Sequence, residues 1–467
     1  MRIGSRLPGL AWDLWWAERG GQAAVMARQR ARLADLVRFA RAQSPLYRRL
    51  YRDLPPDVED LRQLPPVTKP QLMVNFDDWV TDPAATRASV EAFLADETQA
   101  GRLCLGRYAV WTTSGVTGEP GIFMHDAGAL AVYRALTFVR GWLAWITPTA
   151  LWARLRRGER IASVVGSGGP YASAGMAAVA RRHRPWPFKR VQVFPAFSPV
   201  PDLVQALNEF QPAELNGFPS ALMLLAEEQL AGRLAISPAL VSGGGEWLSP
   251  TIRRRLEAAF RCPVREGYGV TEFPRMVWGC QRGRLHVSAD WAILEPVDQA
   301  YRPLPPGRAS HSVLLTNLAN RVQPLIRYDL GDSITLEPAP CPCGSPLPHI
   351  QVEGRRDEIL FLQAPSGEAV PLLPIPLAYL VHETPGVQRC QVIQTGPATL
   401  RIRLEMAHGA DDGQVWAAVA DRLRDYLAMR GLPRASVERA AEPVGRDPVS
   451  GKFRDVWAEL EAAPRAT

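Results

Sequence analysis

The stretch Trp111-Thr112-Thr113-Ser114-Gly115-Val116-Thr117-Gly118-Glu119-Pro120-Gly121 combines hydroxyl side chains with glycines, directly after a β-type run from Arg107 to Trp111. Glycine lets backbone N–H groups approach an anion closely, and Ser and Thr add hydroxyl donors. The stretch lacks the Gly-Lys-Ser/Thr ending of the common phosphate loop. It predicts a loop that binds a polyphosphate, with an ordinary surface turn as the alternative.

The chain around this loop has the composition of a folded enzyme. With 467 residues it is too long for one hydrophobic core, so a large domain and at least one smaller domain are expected. Its hydrophobic content is 47% and its charged content 22%, which argues against disorder. The net charge of +7 suits an anionic ligand, but the arginines are spread along the chain, so no nucleic-acid partner is predicted.

The hydrophobic pattern alternates between strand and helix. Strands are predicted over 161–165, 191–194, 214–216, 239–242 and 264–268, with helices over 172–181, 201–210, 220–231 and 249–260. This is an α/β pattern with a parallel sheet, and ligands bind at the carboxyl ends of such strands. A β-rich region follows over 291–334. Strands over 388–394 and 400–406 and a helix over 411–429 predict a small α+β domain. We therefore predict domains 1–353 and 354–467.

Two apolar regions bear on the cellular location. The N-terminal run from Leu10 to Trp16 suits either core packing or contact with a membrane surface, and core packing is the prediction. The region 127–155 contains Arg134, Arg140 and Pro148, which argue against a membrane span and for a buried helix starting near Asp126. An amphipathic helical region is predicted over 22–51. The N-terminus lacks the pattern of a secretory signal, so a soluble, cytoplasmic protein is expected.

Five segments of the chain occur in the order found in one protein family. They are Thr113-Ser114-Gly115-Val116-Thr117-Gly118-Glu119-Pro120, Tyr268-Gly269-Val270-Thr271-Glu272, Arg327-Tyr328-Asp329-Leu330-Gly331-Asp332, Gly354-Arg355-Arg356-Asp357-Glu358 and Gly451-Lys452. From about Pro45 onward the chain resembles the adenylate-forming superfamily of acyl-CoA synthetases, peptide-synthetase adenylation domains and luciferases. Within it, the phenylacetate-CoA ligase branch is the most similar. Each motif alone is weak, but five in the right order argue against coincidence.

The resemblance implies a large N-terminal domain of several subdomains, a small mobile C-terminal domain and a two-step reaction. A carboxylic acid and ATP give an acyl-adenylate and pyrophosphate, and the thiol of coenzyme A then takes the acyl group. ATP and Mg²⁺ are the implied cofactors, and coenzyme A is the co-substrate. Because a carboxylate and a phosphate repel each other, the first step needs a cation, positioned donors and exclusion of water.

The resemblance also implies roles for individual residues. Lys452, the only lysine after Lys189, is expected to neutralise charge in the first step, while Thr271 donates to the α-phosphate and Glu272 binds Mg²⁺. Tyr268 offers a flat face to adenine, Glu266 accepts from the adenine amine through its side chain or its backbone carbonyl, and Asp332 accepts from the ribose hydroxyls beside Arg355. Further nucleotide contacts are expected from Thr113, Ser114, Gly115, Thr117, Gly118, Gly245, Glu246 and Gly269. Asp357 matches the hinge of the mobile domain.

Each of these roles has an ordinary structural alternative. Thr271 and Glu272 also suit a helix N-cap, Tyr268 a buried strand aromatic, Asp332 a turn, and Lys452 a solvated surface position.

The chain departs from the family pattern at three places. Val116 stands where the loop usually has a hydroxyl, and Gly121 stands where many relatives carry lysine. After Glu358, residues 359–363 lack the usual lysine or glycine. The first two departures predict a weaker affinity for phosphate and leave a non-standard nucleotide step open, and the third leaves open whether a thiol takes the acyl group. One alternative function is a ligase that uses an amine or another nucleophile in place of coenzyme A. Another is a nucleotide-binding protein without catalysis, against which Glu272, Asp332 and Lys452 speak.

A second group of residues has the composition of a metal site. Cys280-x5-His286 is followed by Cys341-Pro342-Cys343-Gly344, which supplies three thiols and one imidazole. Such a set predicts a closed tetrahedral Zn²⁺ site with a stabilising role, and buried free cysteines are the alternative. Cys104, Cys262 and Cys390 are predicted as buried free thiols.

The acid substrate is predicted to be aromatic and to bind near Phe218, Pro219, the glycines Gly243 to Gly245, and Tyr268. The sequence does not identify the acid. It also leaves the oligomeric state open, with a homodimer as one candidate assembly.

Overall fold

The computed structural model describes residues 7–55, 58, 60–99, 101–113, 120–145, 152, 160–166, 172–183, 191–196, 198–446 and 453–459. The helices are α1 (Leu7–Arg19), α2 (Gly21–Gln43), α3 (Pro45–Leu50), α4 (Lys69–Val74), α5 (Phe76–Trp79), α6 (Arg87–Ala95), α7 (Ala127–Val139), α8 (Ala172–His183), α9 (Val200–Phe210), α10 (Pro219–Leu230), α11 (Pro250–Phe260), α12 (Pro374–His382) and α13 (Asp412–Met429). Short 3-10 helices cover Leu61–Gln63, Glu97–Gln99, Leu143–Trp145 and Arg356–Glu358.

The strands are β1 (Ala109–Thr112), β2 (Ile122–His125), β3 (Ile161–Val165), β4 (Val191–Pro195), β5 (Glu214–Gly217), β6 (Leu240–Gly243), β7 (Val264–Val270), β8 (Phe273–Gly279), β9 (Leu285–Val287), β10 (Ala292–Val297), β11 (Ser312–Asn317), β12 (Leu325–Asp329), β13 (Asp332–Leu336), β14 (His349–Arg355), β15 (Leu360–Gln363), β16 (Ala369–Leu372), β17 (Val387–Gly396), β18 (Thr399–Met406), β19 (Ser436–Arg439) and β20 (Val456–Ala458).

A mixed sheet carries the candidate site. Within the described residues, nine strands pair in the order β13-β14-β9-β8-β7-β6-β5-β3-β4. The strands from β4 to β7 are parallel, and those from β7 to β13 are antiparallel. Strand β7 joins the two halves because its first residues pair with β6 and its last residues pair with β8. The predicted alternation of strands and helices is confirmed for the parallel half, where α8 to α11 connect successive strands.

Local sequence sets the ends of several helices. Asp126 caps α7, accepting from the N–H of Ala129 at 2.8 Å, so this helix begins where it was predicted. Ser249 caps α11 in the same way, with the N–H of Ile252 at 3.1 Å and a proline at the first helical position. The same helix stops at Arg261, whose φ of 52° is left-handed. Caps satisfy backbone groups that a helix end leaves without partners.

The predicted β-rich region forms a small antiparallel sheet beside the large one. Strands β10, β11 and β12 pair in that order, and all residues of β11 and β12 are buried. A two-residue link, Leu330 and Gly331, leads from β12 into β13 of the large sheet. Gly331 has a φ of 71°, a conformation that favours glycine, so this turn places Asp332 at the start of β13.

The elements from β15 onward form a separate C-terminal part with its own hydrophobic core. Its four-stranded sheet has the order β19-β18-β17-β20, and α12 and α13 pack with it around buried residues between Leu360 and Val456. Both predicted strands and the predicted helix are present, and Asp411 caps α13 through the N–H of Gln414 at 2.8 Å. The small C-terminal α+β unit is thus confirmed, while the division after residue 353 stays a prediction.

The N-terminal helices confirm one prediction and correct another. The helical region predicted over 22–51 is present as α2 and α3. The prediction of core packing for the run from Leu10 to Trp16 is wrong for its three tryptophans. Trp12, Trp15 and Trp16 are 62%, 38% and 45% exposed, while Leu14 is fully buried. The helical period is the reason, because it turns positions 12, 15 and 16 away from the face that contains Leu14. Among the described helices, none is both long and apolar enough to cross a membrane.

Candidate active site

Tyr268, Asp332 and Arg355 meet at the carboxyl end of β7. Asp332 and Arg355 are paired residues on neighbouring strands, and Arg355 Nη1 donates to Asp332 Oδ1 at 3.2 Å. The Tyr268 hydroxyl donates to Asp332 Oδ2. Burial, together with the Asp332 carboxylate, raises the pKa of Tyr268 well above its ordinary value, so the hydroxyl keeps its proton. An aromatic ring, a buried carboxylate and a guanidinium therefore share one corner of the site.

Thr271 and Glu272 lie in the turn between β7 and β8. The helix N-cap alternative is therefore wrong, because a β-hairpin and not a helix follows these residues. Glu272 is only 6% exposed, and its Oε1 accepts from the Tyr328 hydroxyl at 2.9 Å. Its Oε2 has no side-chain partner among the described residues, and the residue lines the central cavity. A carboxylate oxygen in this position is suited to a hard cation.

The glycine-rich loop is described only at its two ends. Thr113 Oγ1 accepts from the N–H of Gly121 at 2.8 Å, and the N–H of Thr113 donates to the Gly121 carbonyl at 3.0 Å. These two bonds close the base of the loop next to β1 and β2. Ser114, Gly115, Val116, Thr117 and Gly118 lie outside the described residues, as does Lys452.

Lys69, at the start of α4, lies against the base of this loop. A Cβ atom on Gly121 would be 3.2 Å from Lys69 Cδ, and Lys69 lines the same cavity as Thr113. Among the described residues its ammonium group has no hydrogen-bond or ion-pair partner. A lysine from another element therefore lies beside Gly121, the position at which the sequence departs from the family pattern.

The glycine turn after β6 brings together the residues predicted to surround the acid. A Cβ on Gly245 would be 3.0 Å from the Phe218 ring, and a Cβ on Gly243 would be 3.3 Å from Pro219. Gly245 also has a φ of 81°, which favours glycine. Because side chains are absent from this turn, the cavity extends between Phe218 and the end of β7.

Three other residues that were predicted to contact the nucleotide already make close contacts within the protein. Glu266 forms an ion pair with Arg253 at 3.1 Å. Glu246 accepts two backbone N–H groups, from Ser220 at 2.9 Å and from Phe453 at 2.8 Å. Gly269 lies where a Cβ would be 2.2 Å from the Pro274 carbonyl oxygen, so the tight hairpin by itself requires a glycine there. These contacts account for the three residue types without a nucleotide.

One cavity joins these groups. Its volume is about 1330 Å³, which exceeds the roughly 300–1,000 Å³ typical of a site for one small ligand. Lys69, Tyr268, Glu272, Asp332 and Arg355 line it. Its walls also contain aromatic side chains, including Trp111, Tyr133, Phe138, Trp142 and Phe218. The cavity has room for a nucleotide and an apolar second substrate at once.

Sequence reasoning missed the residues that support the turn at 271–272. Asn317 Nδ2 donates to the Glu272 carbonyl at 2.9 Å, and His125 Nε2 donates to the Thr271 carbonyl at 3.1 Å. Burial lowers the pKa of His125 to about 3, so the ring is neutral and holds one fixed proton. Tyr328 lies inside a recognised motif, but its contact with Glu272 joins residues 56 positions apart. No local pattern predicts such contacts.

The predicted metal ligands converge at the other end of the antiparallel half. The hairpin between β8 and β9 carries Cys280 and His286, and the loop before β14 carries Cys341 and Cys343. Their ligand atoms all lie within 4.8 Å of one another. His286 Nδ1 donates to the Leu347 carbonyl at 3.0 Å, which leaves Nε2 as the nitrogen facing the thiols. A second hydrogen bond of this kind is usual for a histidine that binds a metal.

The spacing of these atoms fits one tetrahedral ion. With Zn–S bonds of about 2.3 Å, the edge between two sulfurs of a tetrahedron is about 3.8 Å. The Cys280 and Cys341 sulfurs are 3.9 Å apart, and Cys343 Sγ lies 3.3 Å from His286 Nε2. Gly344 has a φ of 81° and donates to the Cys341 carbonyl at 3.1 Å, forming the predicted tight turn.

The other cysteines are free thiols. Cys104 and Cys390 are buried, as predicted, but Cys262 is partly exposed because it follows the end of α11.

Known structures share this architecture. One is a 2-hydroxyisobutyryl-CoA ligase in the postadenylation state, in complex with 2-HIB-AMP. The similarity covers 94% of this chain and 90% of the ligase chain, at 21% identity and a TM-score of 0.67. The same ligase with CoA in the thioesterification state gives 0.51 over the same 94%. An anthranilate CoA ligase, AuaEII, in complex with anthranoyl-AMP, matches 74% of this chain and 65% of its own at 16% identity, with a TM-score of 0.51.

The chain therefore has the fold of the adenylate-forming enzymes, as the motifs predicted. Among curated sequences, protein CapK of Staphylococcus aureus is 27% identical over 136 residues. That match spans 29% of each chain, well under two thirds of the length of CapK. No family model matches the sequence.

Proposed function

We propose that this protein is an AMP-forming ligase that joins a carboxylic acid to coenzyme A through an acyl-adenylate. The observation that carries the proposal is the meeting of Tyr268, Glu272, Asp332 and Arg355 at the end of β7, within one cavity large enough for two ligands. The phenylacetate-CoA ligase branch remains our assignment for the subtype, on the basis of the sequence motifs.

In the first step, a carboxylate oxygen of the acid attacks the α-phosphorus of ATP. A new C–O–P linkage forms, the bond between the α-phosphorus and the bridging oxygen breaks, and pyrophosphate leaves. In the second step, the sulfur of coenzyme A attacks the acyl carbonyl carbon, AMP leaves, and the thiol proton passes to solvent. Both steps balance without an external oxidant or reductant.

The nucleoside half of ATP is assigned to the corner formed by Tyr268, Asp332 and Arg355. Asp332 is buried, and a carboxylate accepts strong hydrogen bonds from hydroxyl groups. It can therefore bind the ribose once the Tyr268 hydroxyl turns away from it. The Tyr268 ring would then face adenine. Glu266 offers its backbone carbonyl to the adenine amine, because its carboxylate is paired with Arg253.

The phosphates are assigned to the loop whose base is closed by Thr113 and Gly121. Lys69 would place its ammonium group on the β- and γ-phosphates, because it lies against Gly121 and has no partner among the described residues. Glu272 would hold Mg²⁺, which supplies charge neutralisation at the phosphates when bound. Thr271 donates to the α-phosphate, and Lys452 stabilises the charge that grows during attack.

The acid is assigned to the space between Phe218, the glycines of the turn after β6, and the end of β7. The cavity walls include the aromatic side chains of Trp111, Tyr133, Phe138 and Trp142, against which a flat apolar acid would bury much of its surface. The residue that follows the glycines, Glu246, is not assigned to the nucleotide, because both of its oxygens accept from backbone N–H groups.

The metal cluster is assigned a structural Zn²⁺. Three thiols and one imidazole fill all four positions of a tetrahedral ion, so no position remains for a substrate. His349 begins β14 and Arg355 ends it, which separates the cluster from the nucleotide corner by about 20 Å at 3.3 Å per residue. Cysteines outside the cluster, Cys104, Cys262 and Cys390, form no disulfide, which is typical of a reducing compartment, and we place the enzyme in the cytoplasm.

The test is acid-dependent release of pyrophosphate across a panel of aromatic and aliphatic acids, with and without coenzyme A. A CoA ligase releases pyrophosphate with its acid, forms the thioester, and turns over repeatedly only when coenzyme A is present. Turnover with an amine in place of coenzyme A would indicate the alternative acceptor. A pure, nucleotide-binding preparation that releases no pyrophosphate with any acid would refute the proposal in favour of a binding module.

A further inference from the structure

The Glu246 side chain links the large N-terminal part of the chain to the C-terminal part by accepting from one backbone N–H group. It follows the glycine turn after β6, and its side chain accepts from the N–H of Ser220 at the start of α10, at 2.9 Å. Its other oxygen accepts from the N–H of Phe453, at 2.8 Å. Phe453 lies 207 positions further along the chain and directly follows Lys452. The N–H group that Glu246 binds therefore belongs to the residue next to Lys452, the lysine assigned to adenylation.

The residues after Lys452 are firmly held within the C-terminal part. We call residues 453–459 the terminal segment. Strand β20 of this segment pairs in parallel with β17, and Gln391 donates to the Arg454 carbonyl at 3.0 Å. His382 Nε2 is 2.9 Å from the Asp455 carboxylate, and the Arg389 guanidinium lies 4.4 Å from the Phe453 ring centre. The terminal segment is thus packed into the C-terminal part.

Other contacts cross the same interface but do not reach the terminal segment. The Trp247 ring lies 6.0 Å from that of Tyr379. Glu383 of the C-terminal part accepts from the N–H of Thr251 at 3.1 Å and from Arg254 at 2.9 Å. Glu383 and Glu246 are therefore two carboxylates that each accept a backbone N–H across one interface. The N–H bound by Glu246 belongs to the residue next to Lys452, whereas the N–H bound by Glu383 belongs to Thr251 in the large part.

We propose that Glu246 is a positioning residue, which holds the backbone next to Lys452 against the large part of the chain during adenylation. The inference rests on the proposed function. It also agrees with the similarity of this chain to two states of 2-hydroxyisobutyryl-CoA ligase. The TM-score is 0.67 for the postadenylation state and 0.51 for the thioesterification state. A rotation of the C-terminal part between two such arrangements would break the bond from Phe453 to Glu246. The residue then acts on the first step and not on the second.

The test substitution is Glu246→Gln, which keeps the shape of the side chain but leaves one oxygen to serve two N–H donors. We expect the kcat of acid-dependent pyrophosphate exchange to fall about 10- to 100-fold, the value of one hydrogen bond to a charged acceptor. The KM for ATP should change less than about 3-fold, because the lost contact is not with the nucleotide. Thioester formation from a chemically prepared acyl-adenylate and coenzyme A should stay within about 3-fold of wild type, which also shows that the variant is folded.

Glu383→Gln is the matched control, because it weakens the same interface away from the terminal segment. It should leave both half-reactions within about 3-fold of wild type. Equal losses in both half-reactions of Glu246→Gln, or equal effects of the two variants on adenylation, would show a general loosening of the interface and overturn the inference. A raised KM for ATP at unchanged kcat would instead place Glu246 on the nucleotide.

Hydrogen exchange tests the contact without any catalysis. A peptide covering residues 453–459 should exchange faster in Glu246→Gln than in wild type, and as slowly as wild type in Glu383→Gln. Glu246→Asp, one methylene shorter, should give an intermediate rate. Unchanged exchange in Glu246→Gln overturns the inference. If wild type forms no acyl-adenylate with any acid, the proposed function and the catalytic part of this inference both fail, while exchange still decides whether the contact exists.

Discussion

Replacing Cys343 by Ser tests whether the cysteine–histidine cluster holds a metal ion. Cys343 is the exposed member of the cluster, so the substitution changes a ligand without creating a cavity in the core. Serine binds Zn²⁺ far more weakly than a thiolate does. Purified wild-type protein should contain about one zinc per chain, whereas the variant should contain much less, since three ligands remain from a set of four.

The size of the effect follows from the geometry. Structural zinc sites bind with an apparent free energy of about 10–16 kcal/mol, and an equal share for each of four ligands is about 2.5–4 kcal/mol. Because the ion binds only the folded arrangement of two separate loops, this share is lost from the free energy of unfolding. At roughly 2 °C for each kcal/mol in a large domain, the melting temperature should fall by about 5–8 °C.

The assay compares zinc content, melting temperature and pyrophosphate exchange on the same preparations. Cys262→Ser is the matched control, because Cys262 is also a partly accessible free thiol but lies outside the cluster. It should keep its zinc. Folded Cys343→Ser should keep its exchange activity, since the cluster lies about 20 Å from Arg355 along β14. Wild-type protein without zinc, or Cys343→Ser with wild-type melting, would refute the metal assignment in favour of free cysteines.

Four further predictions concern the active site and the C-terminal part. Lys69→Met should raise the KM for ATP about 10-fold with a smaller effect on kcat, and an unchanged KM would remove Lys69 from the phosphate site. Glu272→Gln should lose magnesium-dependent turnover. Tyr328→Phe removes only a hydrogen bond to Glu272 and should lose less of this turnover. Normal magnesium dependence in Glu272→Gln would contradict the assignment of Glu272 to Mg²⁺. Lys452→Ala should abolish pyrophosphate exchange while ATP binding and melting persist, so a variant with normal exchange would rule out the lysine. Burial alone lowers the pKa of His382, but Cys390 and the Asp455 carboxylate raise it well above 6.5. The stability that His382→Gln loses should therefore be constant below about pH 6.5 and shrink as the pH rises through the raised pKa, and a loss that grows with pH would contradict the ion pair.

Much of the fold was predictable because it is encoded locally. The strands and helices of the parallel half follow from hydrophobic periods of a few residues, and Asp126, Ser249 and Asp411 mark helix starts through bonds to residues three positions away. The motifs around Tyr268 and Asp332 predicted residues that the structure brings together, although their functional roles remain proposals.

The tryptophans of α1 show where local patterns stop being sufficient. An apolar run predicts a helix, but it does not determine which face meets the rest of the chain. Leu14 is buried, whereas Trp12, three-fifths exposed, points away from the core. Burial depends on which element packs against the helix, and that partner is distant in the sequence.

The sequence by itself therefore determined the order of elements, the types of residue in the candidate site and the four residues of the cysteine–histidine cluster. Tertiary structure decided which of these residues meet. It brought Lys69 to Gly121, the loop of Cys341 to the hairpin of Cys280, and Glu246 to the backbone of Phe453. The physical reason is that capping and periodicity act over a few residues, whereas these contacts arise only when strands far apart in the chain become neighbours in a sheet, or when the two parts of the chain pack together.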